Sequence, residues 1–222
     1  MDQYRFIHVE RTASRADLTT SASNYKTLRL TALQESPHAF SSTWEIESQF
    51  PDDVWMSRLS QPGQDIFACV FEGGEGAAEW VAQVTVRGPV PASDFQLPTE
   101  SGQAIPSPDD EEDKWQMLSL YTAPGHRGRG LGAQLCRTVF EHLARRRDAS
   151  PRITVRIMVK PDNVATLGLY SGLGFVETGR CTLEEALRAN GDGEMVPEGP
   201  LGPKYTTRTG IVMAMRMERS RI

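Results

Sequence analysis

Long apolar runs are missing from this 222-residue chain. The longest are Ile66 to Phe71 and Ile211 to Met215, far short of the roughly 20 residues that cross a bilayer as a helix. The first residues, MDQYRFIHVER, carry charge throughout and offer no apolar core for a secretory signal. Cysteine is scarce as well. Cys69, Cys136 and Cys181 lie far apart with no CxxC pair, which disfavours a disulfide framework and a zinc site and fits a reducing compartment, cytoplasm or nucleus. The four histidines (His8, His38, His126, His142) form no HxxxH or HxH pair, so no metal is expected. No internal repeat is visible. With 39% hydrophobic and 24% charged residues, the composition is that of a globular chain.

Charge is present but uneven. The formal net charge is −5, yet seven acids and no Lys or Arg fall between Asp94 and Asp113. Without that stretch the chain would carry +2. From His126 to Lys160 nine basic residues face only Glu141 and Asp148. A local basic region in an acidic protein suits an anionic ligand. Arg145 to Arg147 fit better as cations at a helix C-terminus. Nucleic-acid binding is disfavoured, because the pI is near 5.5 and no aromatics interleave the basic residues. The acidic stretch is a candidate lure for a cationic amine, and more simply a solubilising loop.

Periodicity sets out the elements. Tyr4 to Val9 reads as a strand. A helix capped by Ser14 or Asp17 runs through Tyr25, Leu28 and Leu33 to Pro37, and a short helix follows Pro51. Ile66 to Phe71 and Glu79 to Arg87 read as a hairpin turned at Gly73-Gly74. Trp115 to Tyr121 is a strand. Gly130 to Arg147 is a helix with Leu131, Leu135, Val139 and Leu143 on one face. Ile153 to Val159 is a strand, Asn163 to Leu173 a helix, and Phe175 to Gly179 and Thr207 to Met217 are strands. Residues 88–113, with five prolines, and 180–206 read as flexible insertions. The expected architecture is one mixed α/β domain over 1–222.

The chemistry concentrates in LSLYTAPGHRGRGLGAQL, Leu118 to Leu135. A strand ends, a turn follows at Pro124-Gly125, and a Gly-rich basic loop enters a helix. Such a loop offers backbone N–H groups and a helix N-terminus to an anion. Gly128, Gly130 and Gly132 permit close backbone approach, and Arg127 and Arg129 add charged donors. A P-loop would continue as GK[ST], but Leu131-Gly132-Ala133 follows. A Rossmann loop would read GxGxxG after the first strand, whereas this reads GxGxG in mid-chain. An RGG-type RNA tract would repeat, and this RGRG occurs once.

Arg127-Gly128-Arg129-Gly130-Leu131-Gly132 resembles the R/Q-x-x-G-x-G/A signature of the GCN5-related N-acetyltransferases, the GNAT superfamily. A second segment, Asn163-Val164-Ala165 with Leu169-Tyr170 and Leu173-Gly174-Phe175, resembles that family's N-x-A-x-x-x-LY-x-x-x-GF. Leu33 to Phe40, with Thr43 and Glu45, is similar to the first-helix region of one large branch. The resemblance covers essentially the whole chain. It implies a central, mostly antiparallel twisted sheet of about seven strands, splayed at the coenzyme site and flanked by about four helices. It implies acetyl-CoA as cosubstrate and an amine as acceptor; the charge pattern and the short apolar runs add the expectation of no nucleic-acid and no membrane partner. The N–H groups from Arg127 to Ala133 (Arg127, Gly128, Arg129, Gly130, Leu131, Gly132, Ala133) would hold the pyrophosphate. The strand edge Leu120, Tyr121, Thr122 would pair with pantetheine. A backbone N–H near Leu120 would stabilise the oxyanion. Tyr170 would protonate the leaving thiolate, and Asn163 would contact the coenzyme or cap its helix. Phe40, Trp44 and Glu45 are acceptor-site candidates. The base is unassigned: 115–121 carries no carboxylate, Met158 stands where some relatives are acidic, and Glu45 and Glu47 remain candidates. Cys136 reads as a core residue. The competing class is a catalytically weak acetyl-CoA sensor or interaction module.

Overall fold

A computed structural model of the chain describes residues 3–10, 14–40, 42–73, 78–146 and 150–219. Its elements follow the order β1 (Gln3–His8), α1 (Arg15–Glu35), α2 (Trp44–Glu47), α3 (Asp52–Ser60), β2 (Gln64–Glu72), β3 (Glu79–Arg87), α4 (Ala92–Phe95) and β4 (Glu112–Thr122). Then come α5 (Leu131–Arg145), β5 (Arg152–Val159), α6 (Val164–Gly172), β6 (Val176–Cys181), α7 (Leu183–Asn190), α8 (Pro203–Thr206) and β7 (Gly210–Glu218). The strands form one sheet in the order β1-β2-β3-β4-β5-β7-β6. This is the mixed α/β architecture expected. The Gly74 half of the expected hairpin turn lies outside the described residues. No helix among the described residues is long and apolar enough to cross a membrane.

The chain forms two compact units, and the division falls at the end of β3, within β4 and within α5. The first comprises 1–86 and 119–140. There β1 pairs antiparallel with β2, Tyr4 opposite Phe71 and His8 opposite Phe67. Helix α1 starts at Ser14, whose side chain accepts the Asp17 N–H, satisfying one orphan donor of the first turn. It stops before Pro37, because a residue preceding proline is pushed out of helical geometry. Its buried face (Tyr25, Leu28, Ala32) packs with Trp55 and Leu59 of α3 and Ile66, Ala68 and Val70 of β2.

The second unit comprises 87–118 and 141–222. Strand β5 pairs parallel with β4 over Glu112–Gln116 and antiparallel with β7 along its whole length. Strand β6 pairs antiparallel with β7, with a register shift between Glu177 and Gly179. Along β5, Ile153, Val155 and Ile157 alternate with Thr154 and Arg156, and all five are buried.

Residues 88–113 are packed, where their composition suggested a free insertion. Phe95 and Leu97 are buried. The Arg156 guanidinium lies 3.7 Å from the Phe95 ring centroid. It donates to the Phe95 carbonyl, to Gln103 Oε1 at 3.0 Å and to Gln116 Oε1 at 2.8 Å. The acids of this stretch are also engaged. Asp109 meets Lys114 at 2.9 Å, Glu111 meets Arg152 at 2.6 Å and Asp113 meets Arg219 at 2.6 Å. These three neutralise the protein's own cations. Residues 180–206 are similarly ordered by a capping box between Thr182 and Glu185, and Arg208 grips Glu185 with two hydrogen bonds of 2.5 and 2.7 Å. Composition misled in both places because anchors such as Arg156 and Arg208 lie outside the stretches they hold.

Phe95→Ala removes a buried ring and the face on which Arg156 rests, so it should cost about 3 kcal/mol of stability, typical of a buried aromatic truncation. Chemical denaturation measures this, and a loss below about 1 kcal/mol would show that 88–113 contributes little packing.

Candidate functional site

Helix α5 begins almost directly off β4. After Thr122 the chain makes one 3-10 turn at Pro124–His126 and enters the helix at Leu131. Gly128 and Gly130 both sit at φ 74°, a left-handed conformation costing a residue with a Cβ roughly 1–2 kcal/mol. A Cβ on either would meet nothing within 4 Å. The two glycines therefore supply backbone shape rather than room for a neighbour, which refines the expectation of close approach. The first amide of α5 to close on the helix is Gln134, bonded to the Gly130 carbonyl at 3.0 Å. The N–H groups of Leu131, Gly132 and Ala133 have no acceptor within the helix. They point along its axis, where the peptide dipoles concentrate positive potential.

The arginines divide the work. Arg127 donates through Nε to the Thr122 carbonyl at 2.9 Å and through Nη2 to Ser36 Oγ at 3.3 Å, and its guanidinium lies 5.5 Å from the Tyr121 ring. Its side chain braces the loop and leaves Nη1 uncommitted by these two bonds. His126 braces the same loop through a 3.0 Å hydrogen bond between Nδ1 and Tyr4 Oη. Arg129 is exposed beside the glycines.

Upstream, Ser119 adopts φ 57° within β4. A left-handed residue that is not glycine, inside a strand, re-aims the backbone locally as a bulge does. Pairing of β4 with β5 ends at Gln116 opposite Arg156, although β4 continues to Thr122 and β5 to Val159. Nothing in the pattern Ser-Leu-Tyr announces the left-handed residue. Leu120 and Thr122 are partly buried, and Tyr121 is buried, which raises its phenol pKa and keeps it neutral. Gln83 of β3 is also buried in this unit, with neither amide atom hydrogen-bonded. Strand periodicity gave no signal for it.

Of the acceptor candidates, Phe40 lies under the Arg29 guanidinium at 4.6 Å and 6.2 Å from the Tyr121 ring. Trp44 is 38% exposed. Glu45 is exposed, and its own backbone N–H and the Thr43 hydroxyl lower its carboxyl pKa. Glu47, offered above as a base, is removed from that role. It is 1% exposed and meets Arg29 at 2.6 Å and Arg58 at 2.8 Å. Burial alone would raise its pKa, but the two guanidiniums more than reverse this and hold it at about 2. A carboxylate so stabilised does not take a proton from an amine near neutral pH. Cys136 is buried and its thiol is pushed up to about 12 by burial, so it is no nucleophile.

Asn163 and Tyr170 belong to the second unit. The Asn163 side chain accepts the Thr166 N–H at 3.3 Å, capping α6. Tyr170 is buried on α6 with its ring 5.2 Å from that of Phe175. The loop, Leu120 to Thr122, Phe40, Trp44 and Glu45 belong to the first unit.

These features meet a known family. The model of the acetyltransferase (GNAT) family matches residues 30–175, and the chain belongs to that family. Mycothiol acetyltransferases from Mycobacterium sp. strains JLS and MCS are 48% identical to it over 52 residues, which is 23% of this chain and only 17% of the length of those relatives. Among solved structures, the acetyltransferase of GNAT family from Streptococcus pneumoniae aligns with a TM-score of 0.57 at 13% identity, covering 97% of this chain and 99% of that one. Arabidopsis thaliana NAA60 in complex with acetyl-CoA aligns with a TM-score of 0.56 at 13% identity, covering 97% and 99%. At such identities the likeness is one of fold.

The Glu47 cluster has a pH signature. Its folded pKa lies below the usual 4.5, so its stabilisation is full above pH 4.5 and is lost as pH falls toward 2. By linkage this amounts to at most about 3 kcal/mol. Glu47→Gln should therefore lower stability near neutrality and flatten the acid limb between these values. Urea titrations across that range test this, and an unchanged acid limb would contradict it.

Proposed function

We propose that this chain is an N-acetyltransferase moving the acetyl group of acetyl-CoA to a primary amine of a small molecule or peptide. The observation that carries the reading is the β4–α5 turn in a chain of the GNAT family. Two left-handed glycines, with open space above them, lead to three helix-end amides without helical acceptors. That arrangement suits a pyrophosphate. The similarity to mycothiol acetyltransferases and the acetyl-CoA held by one structural neighbour support the same donor.

The reaction needs no covalent enzyme intermediate. A neutral amine attacks the thioester carbonyl carbon, an oxyanion forms, the C–S bond breaks, and the nitrogen loses a proton. In this reading, backbone N–H groups near Leu120 stabilise the oxyanion. Tyr170 donates a proton to the departing thiolate, on the strength of its motif. A thiol of pKa about 8.5 leaves moderately well, so that donor assists rather than decides. With Glu47 locked to two arginines, the amine arrives neutral or gives its proton to water or to Glu45. Phe40, Trp44 and Glu45 are the proposed acceptor-side residues. Asn163 serves its helix first, and any coenzyme contact would come from its remaining amide group. The sensor reading draws its support from the same missing base.

Release of CoA thiol from acetyl-CoA, measured against small amines and peptides with free N-termini or lysines, tests the proposal. Turnover with one class supports it and names the acceptor, while none with any amine would favour the sensor. Gly130→Val strains a left-handed position and should weaken acetyl-CoA binding at least about tenfold while costing only about 1–2 kcal/mol of stability. Undiminished affinity would remove the loop from the site. Tyr170→Phe should lower kcat several-fold with little change in acetyl-CoA affinity. An unchanged kcat would end its role as the acid.

A further inference from the structure

A cleft of about 270 Å³ lies within the second unit, bordered by residues 103–106 and by strands β5, β6 and β7. Phe95, Ile105, Val176 and Ala214 give it a mainly apolar wall. Ile105 and Val176 stand largely in water, unusual for large aliphatic side chains beside a cavity. One carboxylate lines it, that of Glu112, in a residue only 4% exposed.

The contacts of that carboxylate are one-sided. Thr154 donates its hydroxyl to Oε1 at 2.7 Å. Arg216 approaches the same oxygen at 3.8 Å, with a side chain 71% exposed. Lys114 turns elsewhere, to Asp109 and to the main-chain carbonyl of Glu112. Among the described residues, no hydrogen bond reaches Oε2.

A carboxylate taken from water is costly unless paired and hydrogen-bonded. A solvated guanidinium at the edge of contact compensates it weakly. A cation able to enter the cleft would therefore gain more at Oε2 than it would at the surface. The lining narrows the choice. A single carboxylate among apolar groups does not supply the six or more oxygens a calcium ion takes. The volume is at the small end for ligand pockets. The geometry points to a binding site for a small primary ammonium ligand with an apolar body, with Glu112 as its counter-ion. No residue of the 127–133 loop lines this cleft, and the inference does not depend on acetyl transfer.

The test uses the full chain without acetyl-CoA. Phenethylamine, protonated at neutral pH, is titrated while the amide resonances of Val176 and Ala214 are followed by NMR, with 2-phenylethanol as the uncharged control of the same shape. The amine should shift these resonances saturably, and the alcohol should bind at least about tenfold more weakly, as expected for loss of a charged hydrogen bond. Glu112→Gln keeps an acceptor for Thr154 and should weaken the amine by about the same factor. Arg216→Ala, at an exposed position, removes the competing cation and should tighten it about two- to fivefold. Absence of saturable binding, equal affinity for amine and alcohol, or an unchanged Glu112→Gln affinity would overturn the proposal. Should Glu112→Gln fail to fold, Arg216→Ala decides by its sign, and weaker binding there would also overturn it.

Discussion

A helix that starts directly off a strand end leaves its first amides without partners, and something must hold that exposed geometry in place. Here the holding groups are local to the turn. Gly128 and Gly130 take a backbone shape that side chains resist. Arg127 ties the loop back to Thr122, Tyr121 and Ser36, and His126 ties it to Tyr4. With the turn fixed, the amides of Leu131 to Ala133 are presented as a group. The acyl-donor role proposed for the chain depends on that presentation more than on any one side chain.

Electrostatics sharpen the same feature. Three acids of the stretch that makes the net charge negative, Asp109, Glu111 and Asp113, are taken up by Lys114, Arg152 and Arg219. Glu47 is consumed by Arg29 and Arg58. Of the cations counted between His126 and Lys160, Arg156 is buried and engaged with 88–113, so those residues do not form one outward-facing basic face. Arg129 remains exposed at the loop. Its charge and the N-terminal end of the α5 dipole both favour an anion at the turn.

The order of elements was readable from periodicity, because helices and strands declare themselves within a few residues. The glycine-rich turn was readable for the same reason. What could not be read depends on partners far apart in sequence. Arg127 as a brace needs Ser36, 91 positions away. The packing of 88–113 needs Arg156, 61 positions from Phe95. The loss of Glu47 as a base needs Arg29 on another helix. Ser119 is a different case: its neighbours are local, but no residue type at that point signals a left-handed backbone.

Calorimetric titration of the folded protein with acetyl-CoA, with ATP and NAD as controls, tests the central claim most directly. Binding of acetyl-CoA in the micromolar range, with neither nucleotide competing at similar concentration, is the predicted result. A folded protein that takes up no acetyl-CoA, or that binds ATP equally well, would contradict the assignment of the β4–α5 turn.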